Sequence, residues 1–77
     1  MKELSLYDAP IGNKVVIKKV LTEGSIKRRL LDIGLTPGTI VESAFCNPGN
    51  NLIAYMIRGA LVAIRDDDAK NILIEGF

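Results

Sequence analysis

A chain of 77 residues, 48% hydrophobic and 25% charged, has room for one small domain and is too apolar to stay unfolded. A formal net charge of +1 argues against nucleic-acid binding by bulk charge, and zero histidines with one cysteine remove the commonest catalytic bases and any intrachain disulfide. No apolar run reaches the ~18–20 residues that span a bilayer, and Met1-Lys2-Glu3-Leu4 opens no signal-peptide core, so a cytoplasmic protein without membrane insertion is expected.

Leu4–Tyr7 reads as a short strand or extended lead-in, followed by the turn-rich Asp8-Ala9-Pro10-Ile11-Gly12-Asn13. Lys14–Leu21 is β-branched and predicts the first main strand. Its alternation is imperfect: Val15, Ile17 and Leu21 share one face, Val16 and Val20 the other, which predicts a strand partly covered on both sides. Thr22-Glu23-Gly24-Ser25 is a break, with Ser25 as the expected helix N-cap. A helix over 26–33 follows, its stripe made of Ile26, Leu30 and Ile33 and most of its remaining surface of Lys27, Arg28 and Arg29.

The run from Arg29 to Glu42 is the most specific passage. Gly34 stands where a helix C-terminus takes a left-handed residue, and Pro37-Gly38 fits the centre of a type II turn. Thr39–Asn47 and Leu52–Arg58 read as strands flanking the loop Pro48-Gly49-Asn50-Asn51. Arg58-Gly59 is a tight turn into the strand Ala60–Arg65, Asp66-Asp67-Asp68 opens one helical turn, and Ile72–Glu75 is the last strand. Five short strands with one helix inserted after the first predict a mainly β fold, a small closed or nearly closed barrel over residues 1–77. Gly34, Pro37, Gly38 and Gly59 are its structural turn residues.

Four passages carry a family pattern: Arg28-Arg29-Leu30-Leu31-Asp32-Ile33-Gly34-Leu35-Thr36-Pro37-Gly38-Thr39, Ala54-Tyr55-Met56-Ile57-Arg58-Gly59, Leu61-Val62-Ala63-Ile64-Arg65 and Ala69-Lys70-Asn71-Ile72. Together they resemble the FeoA family of bacterial ferrous iron uptake over nearly the whole chain. The resemblance implies an SH3-like five-stranded barrel. It also implies a non-catalytic accessory role toward FeoB, the membrane ferrous iron transporter with a cytosolic G-protein domain. One loop departs from the family: Phe45-Cys46-Asn47-Pro48-Gly49-Asn50-Asn51-Leu52 stands where Pro-Leu-Gly-Asp-Pro is common. The same fold occurs as the C-terminal domain of iron-dependent repressors. The alternatives are therefore a regulatory module of that kind or a small nucleic-acid-binding barrel.

The residues offer no catalytic constellation and no Walker-type phosphate loop. No cofactor is expected. Ferrous iron prefers imidazole and carboxylate, and with no histidine, Asp66, Asp67 and Asp68 are read as helix-start carboxylates, so no metal site is assigned. Cys46 is read as a small buried or half-buried residue, with a redox or metal role as the other reading.

Lys27, Arg28 and Arg29 are either a solvated helix face or a surface for an acidic partner. Leu30 and Leu31 lie 100° apart, so either the helix is wedged against the N-terminal segment or one leucine sits at a rim, where it would mark a docking surface. Lys27 through Leu31 are the expected partner-binding residues, and the expected partner is the cytosolic side of a FeoB-type transporter. No nucleic acid is expected, because Tyr7, Phe45, Tyr55 and Phe77 are not interleaved with basic residues. A monomer or weak homo-oligomer is expected.

Overall fold

The corner between helix and barrel is built by two glycine-dependent backbone reversals, at Gly34 and Gly38. The computed structural model describes residues 3–49 and 51–75, so Met1, Lys2, Asn50 and Phe77 of the sequence reading lie outside the described residues. Helix α1 spans Gly24–Asp32 and ends in a Schellman motif. Gly34 takes φ +109°, its N–H donates to the Leu31 carbonyl at 3.1 Å, and Leu35 N–H donates to the Leu30 carbonyl at 3.0 Å. Leu30 and Leu35, the two residues joined by that outer bond, are both in the core. Thr39 N–H then donates to the Thr36 carbonyl at 3.0 Å with Gly38 at φ +92°, the expected type II turn around Pro37-Gly38. The turn is tied to the barrel because Gly38 N–H donates to the Ile17 carbonyl at 2.8 Å and Ile17 N–H to the Thr39 carbonyl at 2.9 Å.

A Cβ on Gly38 would meet no atom within 4 Å, so only its backbone angle resists substitution. Gly38→Val should therefore cost about 1–3 kcal/mol through strain alone. Urea unfolding would show it, and a change under about 0.5 kcal/mol would contradict this reading of the turn.

Six strands form one antiparallel sheet in the order β1-β6-β2-β3-β4-β5. They are β1 (Leu4–Ser5), β2 (Lys14–Val20), β3 (Ile40–Cys46), β4 (Leu52–Ile57), β5 (Ala60–Arg65) and β6 (Ile72–Ile74), with a one-turn helix α2 at Asp66–Ala69. The fold is SH3-like, as expected, but with a sixth strand. The barrel is not closed, because β1 and β5 are the two ends of the ladder. After β1 the lead-in turns into a 3₁₀ segment, Leu6–Asp8, instead of continuing as strand. The Asp8 carboxylate holds that turn, accepting from Ser5 N–H at 2.9 Å and Ser5 Oγ at 3.2 Å. The Ser-x-x-Asp spacing was the local signal for it.

The imperfect alternation of β2 has a different cause from cover on both faces. The β2–β6 register pairs Ile17 with Ile74 and then Lys19 with Leu73, so Lys18 is an extra residue in a bulge. The bulge inverts the side-chain parity, and Val15, Ile17 and Val20 all enter the core while Leu21 is left exposed. The first half of β2 pairs with β3 and the second half with β6. The strand therefore turns the corner of the barrel.

The hairpin β4–β5 closes through Arg58 (φ +50°) and Gly59 (φ +84°) between the paired Ile57 and Ala60. Positive φ at both central residues is the twist-matched turn for a two-residue loop. The core gathers the inward positions of these strands, among them Ile17, Val41, Tyr55, Ile57 and Ile72, with Leu30 and Leu35 from the helix and corner. Burial pushes the Tyr55 hydroxyl far above its usual pKa, with smaller contributions from Tyr7 and Cys46, and its O–H donates to the Leu6 carbonyl at 3.4 Å.

Candidate functional site

Helix α1 begins at Gly24, two residues before the start at Ile26 that the sequence suggests. Gly24 at φ +69° swings the chain into the helix, Glu23 occupies the N-cap, and Ser25 lies within the first turn without a capping role. Ser25 was read as the cap because a glycine before it looked like a break rather than a start. Lys27, Arg28 and Arg29 are exposed and successive, so they spread over the outward side of the helix. None of the three is in an ion pair, since among the described residues the salt bridge found joins Lys18 and Glu3 at 3.5 Å.

Leu30 is only 6% exposed and belongs to the core, and it also lines the groove beside the helix. Its side chain lies 100° from that of Leu31, on the side of the helix that faces the barrel. Leu31 is half-buried and packs against the margin of the core, as does Ile33. Ile26 departs from the expected stripe and is 46% exposed. It stands in the first turn of α1, where it joins Leu52 in lining a groove instead of filling the core.

That groove, about 470 Å³, runs between α1 and the β5 end of the sheet. Ile26, Arg29 and Ile33 form the helical wall, with Leu52 and the consecutive Val62–Arg65 opposite. Asp67 and Asp68, from the first turn of α2, stand at the same opening. The site thus combines an apolar floor with two arginines, Arg29 and Arg65, and two carboxylates at its lip. Such a surface suits recognition of a polypeptide. The acidic run opens α2 as expected, with Asp66 Oδ1 accepting from Asp67 N–H at 2.9 Å.

A second cleft of about 310 Å³ lies between the 3₁₀ turn and the ends of β3 and β4, lined by Tyr7, Pro10, Ile11, Cys46, Ile53 and Tyr55 among others. Asp8 is also there, but its carboxylate is engaged by Ser5. Cys46 is exposed, against the expectation of a buried or half-buried residue. It stands at the end of β3, opposite Ile53, and lines the open cleft. The Lys70 ammonium lies 4.8 Å from the centre of the Tyr7 ring beside this cleft.

No helix among the described residues is long and apolar enough to cross a membrane. Residues 4–76 match the model of the FeoA domain. No curated protein matches the sequence. Among solved structures, a FeoA-like protein from Clostridium acetobutylicum is 28% identical with a TM-score of 0.86, covering 100% of this chain and 90% of its own. The zinc-complexed FeoA of Stenotrophomonas maltophilia, described as a prokaryotic SH3 domain protein, is 21% identical with a TM-score of 0.82, covering 94% of this chain and 89% of its own. A manganese-dependent transcriptional repressor has the same fold at 15% identity and a TM-score of 0.83, over 96% of this chain but only 41% of the repressor.

Proposed function

The chain belongs to the FeoA family, and on that premise we propose that it is a non-catalytic accessory of ferrous iron uptake that docks on the cytosolic side of a FeoB-type transporter and tunes it. The observation that carries the docking face is the outward row Lys27, Arg28 and Arg29 beside the α1–β5 groove. Three cations without ion-pair partners suit an acidic patch, and the apolar groove next to them supplies the desolvated centre that an interface needs. Leu31 and Ile33 hold the helix against the core, so the face is presented by a fixed element.

The fold shared with the manganese-dependent repressor belongs to an architecture that hosts several roles, and does not by itself favour regulation of transcription. For a nucleic-acid surface, aromatic side chains would have to stack from a basic face, but Tyr55 is buried within the core.

Titration of the chain with the cytosolic region of a cognate FeoB, with and without nucleotide, tests the proposal. Binding is expected, with NMR shifts concentrated on α1. Arg28→Glu with Arg29→Glu should weaken it about tenfold or more at low salt while the melting temperature holds, because exposed charges act on association far more than on stability. No binding in either nucleotide state would overturn the reading. Binding indifferent to the double variant would move the contact off the helix.

A further inference from the structure

The outer face of β3–β4–β5 is largely apolar; its Leu52, Ala63 and Arg65 edge forms one wall of the groove against α1, and Phe45, Met56 and Leu61 are exposed. Cross-strand register sets its side chains in rows: Glu42, Met56 and Leu61 in one, Phe45, Ala54 and Ala63 in the next, Leu52 and Arg65 in the third. The bulge between Ser43 and Phe45 brings Phe45 onto this face. Phe45 is 55% exposed, Leu61 50%, and Met56 and Leu52 40% each. Ala54 is buried yet stands apart from the core cluster, as a small residue does when larger neighbours overhang it on an outer surface.

We propose that this face is the contact between two copies of the chain. The charges on it argue for a second copy. Glu42 and Arg65 occupy diagonally opposite corners of the patch, and among the described residues neither is in a salt bridge, although Lys14 stands opposite Glu42 in the β2–β3 register. A two-fold axis lying between the faces along the other diagonal, through Leu61, sets each Glu42 against Arg65 of the second copy. A closed isologous contact requires this kind of self-complementarity.

The same operation places Phe45 on Leu52 of the second copy, Met56 on its Ala63, Ala54 on its Ala54 and Leu61 on its Leu61. Large residues then meet small or branched ones, and the strands cross near a right angle, one of the two stable ways for sheets to pack. The patch has eight residues, fewer than the ~20–30 a side of a standard interface, so a weak dimer is expected, with Kd between about 10 µM and about 1 mM. It shares Leu52, Ala63 and Arg65 with the α1–β5 groove, so self-association would compete with a transporter contact made through that groove and leave only the Lys27–Arg28 side of α1 open.

Sedimentation equilibrium of the whole chain across that concentration range is the test. Leu61→Glu should raise Kd at least about tenfold with an unchanged thermal melt, since its side chain is half exposed in the monomer. Arg65→Glu alone and Glu42→Arg alone should each weaken association several-fold, and the two together should restore it to within about threefold. A chain that stays monomeric to about 1 mM overturns the proposal, even if Leu61→Glu then weakens binding to vesicles or to the transporter. A dimer that forms but whose double charge exchange stays as weak as the single variants also overturns it.

Discussion

Leu35→Ala should remove about 2–5 kcal/mol of stability, the range for emptying a fully enclosed leucine site. Leu35 has no exposed surface and its neighbours come from several elements, so the void would not collapse easily. A domain of this size holds on the order of 4–12 kcal/mol in all. The variant should therefore lose at least about a sixth of its urea midpoint, and lie at the edge of folding if the parent stability is near the low end of that range, with an unchanged m-value. The loss has a second source. Leu35 N–H caps the Leu30 carbonyl, so a corner that loosens also releases the end of α1. A cost near 1 kcal/mol would mean that the corner is held by its backbone bonds and not by its packing.

Gly34→Val should cost about 2–4 kcal/mol, more than Gly38→Val. Both glycines have φ near +100°, but their surroundings differ. A Cβ at 34 would come within 2.8 Å of Arg58 Cδ and 2.9 Å of its Nε, with Ile57 Cγ2 at 3.4 Å. The backbone strain is common to the two sites, and the collision is peculiar to Gly34. Combining Gly34→Val with Arg58→Ala should return the collision and leave the strain, a gain of about 0.5–2 kcal/mol over the single variant. Thermal melts of the four proteins would measure it, and strict additivity would show that Arg58 does not crowd the site.

These contrasts explain what could be read from the chain. Gly34, Pro37-Gly38 and Gly59 were legible because positive φ is a local demand that few residues meet, so a glycine in the right phrase announces its geometry. The strands after them were legible from β-branched content. What failed depends on partners distant in sequence. The parity of β2 turns on an extra residue at Lys18, which exists only relative to β6. The exposure of Phe45 and Cys46 turns on a second bulge and on the open cleft at the end of β3. Ile26 is in phase with Leu30, yet it lines an open groove with Leu52 instead of packing into the core. At the candidate site, the basic residues of α1 were visible in the sequence, but the facing wall from Leu52 and Val62–Arg65 was not, because it comes from the far end of the chain.

Arg58 is the one non-glycine among the described residues with φ above zero, and its side chain lies over the bare backbone of Gly34. An asparagine or glycine would sit more easily in that turn, but neither could roof the end of α1 or set a cation near its carbonyls, where the helix dipole is negative. The turn that joins the two strands of the β4–β5 hairpin thus also roofs the C-terminal end of α1, so one arginine fixes where the helix stops relative to the sheet.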